Sequence, residues 1–313
     1  MTVATDSLRC AAWARAEDVS PIGTAGTYAG FLLLEWPLPW PRDIGEVAEL
    51  APLVSAMAGT GIRLQGLVPL FSDQAARRAV LYRRPDLEWF AGYDRTERIV
   101  PADRLVDTAV ELVSTGAGDP EWARATVTDD VLVCGHGRRD VCCGSMGTAL
   151  IAELSKDPAR FGGTVRLWRT SHTGGHRFAP TGIVLPQGTV WAFLDADALR
   201  RIVARSGPLD NLLPRYRGCP GIGPQGGQAL ERAAFGEIGW SWLDHRRRVV
   251  DLGGDRLRLE AIAPDGAKLA WEGTVVSGRD LPIPECGKPL AEATKTETEV
   301  SVINVRRVAA GST

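Results

Sequence analysis

Cys134, His136, Cys142 and Cys143 lie together in Val131-Leu132-Val133-Cys134-Gly135-His136-Gly137-Arg138-Arg139-Asp140-Val141-Cys142-Cys143-Gly144. His172 and His176 come later, in Ser171-His172-Thr173-Gly174-Gly175-His176. These two segments hold three of the six cysteines and three of the four histidines. Structural thiols and imidazoles scatter through a chain, whereas a metal centre needs them to converge on one point. The clustering therefore points to a metal site.

Spacing bears on which metal. Zinc sites usually hold cysteines two to four residues apart, and eight residues separate Cys134 from Cys143. Zinc remains open but loses ground to an iron-sulfur centre, which tolerates long ligand loops. Two cysteines with two histidines are the Rieske ligand set, at a different spacing. Cys142 and Cys143 open a helix after a loop rich in glycine and arginine, where unpaired backbone N–H groups favour thiolate. His172 and His176, four residues apart, share one side of a helical turn, or are brought together by the glycines between them.

The elements that must position these residues come in a repeated order. Gly30–Glu35 reads as a buried strand, Asp43–Met57 as an amphipathic helix capped by Asp43 and kinked or shortened by Pro52, and Ile62–Leu67 as a strand. Ala79–Tyr82 and Leu87–Gly92 read as a hairpin across Arg83-Arg84-Pro85-Asp86, and Arg104–Val113 as a helix. The order then recurs. Val131–Cys134 is a strand, Ser145–Leu154 a helix, Val165–Trp168 a strand, Gly182–Leu185 and Val190–Leu194 a hairpin, and Ala196–Ala204 a helix. A β-α-β unit followed by β-β-α is the thioredoxin arrangement, so the chain is expected to be α/β, with two tandem thioredoxin-like domains (1–118 and 119–215). Pro180 then falls where that fold places a cis-proline beside its site. Beyond Cys219, Gly226–Phe235 reads as a helix. Short strands come next over Val249–Leu252, Leu257–Ile262, Leu269–Val275 and Val300–Val305, with Asp265-Gly266 as a hairpin turn. The segment 216–313 is thus expected to be a small α+β unit.

A net charge of -2 leaves no field to recruit nucleic acid or an anionic membrane surface. The first 18 residues carry charges and lack the apolar run of a secretory signal, and no segment is apolar for about 18 residues, as a membrane span requires. The expected compartment is the cytoplasm. Cysteines there are better explained as ligands or free thiols than as a disulfide framework. Cys10, Cys219, Cys286 and His245 are expected to be buried or idle. His136, Arg138, Arg139 and Asp140 suit either a rim that docks a partner or a solvated turn, and Trp168 is near enough to His172 to shield it.

Cys-Gly-His-Gly-Arg-Arg-Asp-Val-Cys-Cys-Gly followed by His-Thr-Gly-Gly-His-Arg-Phe-Ala-Pro resembles the sucrase/ferredoxin-like family, a thioredoxin-like ferredoxin group. The resemblance extends to Gly23-Thr24-Ala25 and Leu-Leu-Leu-Glu-Trp-Pro near the N-terminus. It implies a 2Fe-2S cluster held by Cys134, Cys143, His172 and His176, with Cys142 as the ambiguous neighbour of Cys143. A diferric cluster with two thiolates and two neutral imidazoles is formally neutral, where four thiolates would leave it dianionic, so its potential should lie above that of plant-type ferredoxins. An imidazole on ferric iron loses its outer proton more readily than one on ferrous iron, which couples electron to proton with a limiting slope of about 59 mV per pH unit. The expected role is electron transfer or redox sensing with an unidentified redox partner protein rather than catalysis on a substrate of its own. The alternatives are a structural Cys2His2 zinc protein and a thiol oxidoreductase working through Cys134 or Cys142-Cys143. The last is disfavoured because adjacent cysteines strain a disulfide.

Overall fold

A computed structural model of the chain describes residues 9–69, 76–115, 129–157 and 165–310. The boundary expected at 118/119 lies outside them. Helix α1 (Cys10–Ala16) leads to β1 (Gly30–Glu35), a strand buried along its whole length as its unbroken apolar run demands. Asp43 caps the next turn: its side chain accepts the Gly45 amide at 3.0 Å, and Glu46 accepts the Asp43 amide in return. The helix expected from Asp43 is nevertheless broken into two 3-10 turns, Ile44–Glu46 and Ala48–Leu50, before α2 (Ala51–Met57). Pro52 lies in the first turn of α2, where its missing amide costs nothing, so it starts the helix instead of kinking it.

The first half continues with β2 (Ile62–Leu67), β3 (Ala76–Arg83), β4 (Asp94–Pro101) and α3 (Leu105–Thr115). Leu87–Gly92 is not the partner strand of the hairpin. The Asp86 carboxylate accepts the amides of Glu88 and Trp89 at 2.8 and 3.0 Å, which draws this segment into a turn. Pairing with β3 starts instead at Arg83↔Asp94. The second half comprises β5 (Asp129–Cys134), α4 (Thr148–Leu154), β6 (Val165–Thr170), β7 (Gly182–Leu185), β8 (Thr189–Trp191) and α5 (Ala196–Val203).

With β9 (Tyr216–Gly218), these strands form one nine-stranded sheet, in the order β4-β3-β1-β2-β6-β5-β7-β8-β9. The two halves repeat one internal pattern. The first two strands of each are parallel and the third and fourth antiparallel. They meet edge to edge at Leu67↔Thr170, flanked by Val68 N–H to Arg169 O at 3.0 Å and Ser171 N–H to Gly66 O at 2.8 Å.

The sheet is strongly curled. Five strand intervals of ~4.8 Å separate β4 from β5, so a flat sheet would hold them roughly 24 Å apart. Yet Arg95 on β4 donates to Asp130 on β5 at 3.2 Å. Asp130 also accepts from Tyr82 Oη at 2.5 Å, Trp168 Nε1 at 2.7 Å and Arg166 Nε at 2.8 Å, while Glu97 receives Arg78, Arg95 and Arg166. Side chains of both halves thus share one buried charge network.

Helix α6 (Gln225–Ile238) and the antiparallel sheet β10 (Arg246–Gly253), β11 (Arg256–Ile262), β12 (Lys268–Pro282), β13 (Thr296–Val308) complete the chain. The Asp265-Gly266 turn joins β11 to β12, and Gly266 takes φ +88° there. Phe235, Trp242 and Trp271 pack with Val131, Trp191 and Leu199 of the second half in one core, so the C-terminal sheet backs the second half.

Candidate metal centre

The parallel strands β5 and β6 end in register at Cys134↔Thr170, and the carboxyl ends of parallel strands are where α/β sheets open a crevice. Cys134, the last residue of β5, is fully buried. The chain turns back through Gly135–Arg139 to Asp140, whose Oδ1 accepts the amides of Cys142 at 2.8 Å and Cys143 at 3.3 Å and so caps the next helix. That helix begins earlier than Ser145. After Val141 and Cys142 it runs through a π turn, Cys143–Gly147, into α4. Close approach to β5 depends on Gly147, because a Cβ there would lie 1.8 Å from the Cys134 carbonyl oxygen.

The histidine loop is held from four directions. His172 O accepts from Arg63 Nη2 at 2.6 Å and Gln65 Nε2 at 3.2 Å, both on β2. His172 N–H donates to His136 Nδ1 at 3.2 Å, and His136 Nε2 lies 2.8 Å from Pro41 O, which fixes His136 as the neutral tautomer protonated at Nε2. Burial lowers the His136 pKa, in keeping with that form. Buried Arg217 donates to Gly174 O at 2.9 Å and to Thr24 O at 2.6 Å, tying the loop to Gly23-Thr24-Ala25. Gly175 adopts φ +65°, and a Cβ there would meet the Arg217 guanidinium at 2.5 Å. The loop ends at a cis Ala179-Pro180 bond before β7.

Among the described residues this scaffold brings donor atoms of Cys134, Cys143 and His172 within 4.8 Å of one another. Cys143, not Cys142, faces Cys134. The His176 ring lies beside that of His172, with centroids 6.2 Å apart, and its Nδ1 is 3.2 Å from Asp140 Oδ2. Nδ1 of His172 is buried and, among the described residues, makes no hydrogen bond, whereas the buried Nδ1 of His176 has the Asp140 carboxylate beside it. A hydrogen bond from Cys143 draws the Cys134 pKa well down against the opposing effect of burial, and the same bond pushes Cys143 up. Two buried thiols within 4.8 Å of a His172 donor atom, with Nδ1 of that imidazole unpartnered among the described residues, form a donor set that fits a thiophilic metal or an iron-sulfur cluster.

Other candidate residues fall elsewhere. His136 and Asp140 are buried and partnered, so only Arg138 and Arg139 remain of the expected rim. Trp168 lies in the core with Phe31 and Leu132 rather than against the thiols. Cys219 is buried, which pushes its thiol up to about 12, and His245 stacks on Trp242. Cys10 is buried and Cys286 partly covered, and both converge with Cys142 and Asp140. Gln65, Arg63 and Arg217 position the loop, and nothing in their types or spacing marks them in the sequence.

A mixed α/β sheet carrying a buried thiol pair under a histidine loop defines the class, a protein with a candidate metal centre at the carboxyl ends of parallel strands. Residues 21–218 match the Sucrase/ferredoxin-like family, and the chain belongs to it. It is similar to Altered inheritance of mitochondria protein 32 of Meyerozyma guilliermondii, 36% identical over 76 residues, covering 23% of this chain and 27% of that protein. The same-named protein of Debaryomyces hansenii is 40% identical over 58 residues, covering 18% and 21%. The chain thus spans about a quarter of the length of the curated relatives it matches. No solved structure matches it significantly. Among the described residues no helix is long and apolar enough to cross a membrane.

Proposed function

We propose that the protein is an electron carrier or redox sensor that holds a 2Fe-2S cluster through Cys134, Cys143, His172 and His176. The observation that carries this reading is the convergence of Cys134, Cys143 and His172 beside His176, with His172 Nδ1 lacking a hydrogen bond among the described residues. Such a cluster supplies one-electron transfer at a potential raised by its imidazole ligands. The chain keeps both thiols from water and leaves both imidazoles partly exposed. Asp140 Oδ2 is placed to hold a proton shared with His176 Nδ1. Two clefts open on the imidazoles, one beside His172 and one beside His176, and Arg42 and Arg139 line both. Their charge suits an acidic redox partner protein.

In this reading each half of the large sheet is a thioredoxin-like domain, and only the second carries ligands. Support comes from the repeated strand pattern. The compartment is reducing, the cytosol in this proposal, in keeping with six free cysteines. Iron, zinc and acid-labile sulfide, measured with an absorption spectrum on protein purified without oxygen, test the proposal. Two irons and two sulfides per chain, with a red-brown spectrum that shifts in His172→Cys and His176→Cys, are expected. Colourless protein carrying zinc alone at Cys134 and Cys143 would leave the structural zinc reading in its place.

A further inference from the structure

Cys10, Asp140, Cys142 and Cys286 form a second convergence of ligand atoms, separate from the thiols that face His172. Cys10 is the first residue of α1, Asp140 and Cys142 flank the helix start after β5, and Cys286 lies in the connection between β12 and β13. Three parts of the chain far apart in sequence therefore deliver one sulfur each to a single point. Cys286 Sγ lies 3.1 Å from Cys142 Sγ and 3.2 Å from Cys10 Sγ. Asp140 Oδ2 is 3.5 Å from Cys10 Sγ, and Oδ1 is 3.6 Å from Cys286 Sγ. Cys10 and Cys142 are buried, Asp140 is 6% exposed, and Cys286 is partly covered.

Non-bonded carbon atoms rest at ~3.5–4.0 Å, and sulfur is the larger atom. Two of the three sulfur pairs, both made by Cys286, are nearer than that and need a common partner or shared protons. A disulfide engages only two of them and leaves the third sulfur and a buried carboxylate against it. One tetrahedral cation engages all four donors, and three thiolates with a carboxylate are the ligand chemistry of zinc. The surrounding backbone suits anionic sulfur: the Cys10 amide points at Cys286 Sγ at 3.4 Å, and the Cys142 and Cys143 amides hold Asp140 in place.

We infer that Cys10, Cys142, Cys286 and Asp140 bind one thiophilic divalent cation, of the zinc class, which fastens the N-terminal helix and the β12–β13 connection to the ligand-bearing half. The site is independent of the 2Fe-2S proposal, because it shares no ligand with it. The two centres adjoin at the Cys142-Cys143 peptide and at Asp140, which faces His176.

The test is zinc and iron content of the full chain purified without oxygen, for the wild type and the Cys10→Ser, Cys286→Ser and Cys134→Ser variants. One zinc per chain is expected in the wild type, lost in Cys10→Ser and Cys286→Ser with iron unchanged, and retained in Cys134→Ser as iron is lost. Because Cys286 is partly exposed in a surface connection, its variant tests the site even where Cys10→Ser fails to fold. A further measurement, on the Cys134→Ser variant stripped of metal and titrated with Co2+, should give thiolate charge-transfer and tetrahedral ligand-field bands that adding Cys286→Ser abolishes. Absence of zinc with no cobalt bands would overturn the inference. So would zinc that survives Cys286→Ser and disappears in Cys134→Ser, or a mapped disulfide between Cys286 and Cys142 or Cys10 in the protein as purified.

Discussion

One carboxylate serves two histidine-loop neighbours at once: Asp140 Oδ2 lies 3.2 Å from His176 Nδ1, while Oδ1 receives the Cys142 amide at 2.8 Å. Asp140→Asn keeps the capping oxygen and removes the charge. The cap should therefore keep its roughly 1 kcal/mol, and any larger loss of stability would report the carboxylate's place in the inferred Cys10–Cys142–Cys286 cation site. The midpoint potential of the proposed cluster should rise on the order of 50 mV, since a negative charge near the centre opposes its reduction. Redox titration beside urea unfolding measures both, and an unchanged potential would separate Asp140 from the redox site.

Exchanging an imidazole for a thiolate makes the proposed centre more negative. His172→Cys and His176→Cys should each lower the potential. In the wild type the potential should fall with rising pH, approaching about 59 mV per unit where one proton accompanies one electron, and the slope should weaken in both variants. Voltammetry between about pH 6 and 10 decides this. A flat wild-type profile would rule out proton coupling.

Gly147 has helical backbone angles, so its requirement is one of space, set by a Cβ position 1.8 Å from Cys134 O. Gly147→Ala should push the π turn away from β5, cost about 3 kcal/mol and release bound iron. Denaturant midpoints and iron content together report it. A variant as stable as the wild type and fully loaded would show that the helix tolerates displacement.

Burial works against the Asp130 carboxylate, but Arg166, Tyr82 and Trp168 outweigh it and hold its pKa below the usual range. A carboxylate depressed in the folded state contributes stability above its unfolded value of about 3.9 and loses it as pH falls through the folded value. Asp130→Asn should thus cost about 3–5 kcal/mol at pH 7, and the gap to the wild type should shrink steadily below about pH 4. Urea unfolding at neutral and acid pH measures the gap.

Much of the scaffold was legible because its strands are unbroken apolar runs, as in Phe31-Leu32-Leu33-Leu34 and Val131-Leu132-Val133. The fourth strand was missed because Asp94-Arg95-Thr96-Glu97-Arg98 carries charges inward to Asp130 and its neighbours, so no apolar period marks it. In the site, residue type and spacing drew attention to Cys134, Cys143, His172 and His176. The anchors were hidden because Arg63, Gln65 and Arg217 act from distant strands through backbone carbonyls. Cys10 and Cys286 looked idle for the same reason: their meeting depends on the C-terminal hairpin folding back on the N-terminal helix, which no local pattern encodes.

The buried network around Asp130 also bears on which halves assemble. Two similar halves in one chain could, on apolar contacts alone, exchange partners with those of a second molecule. Tyr82 and Arg95 come from the first half and Arg166 and Trp168 from the second, and all four meet one carboxylate. A docking of two second halves would leave that carboxylate its own Arg166 and Trp168 but strip it of Arg95 and Tyr82, so one buried guanidinium and one hydroxyl would go unreplaced. The charges thereby favour first-with-second pairing, because only that arrangement gives Glu97 the Arg166 guanidinium and Asp130 the Arg95 guanidinium together.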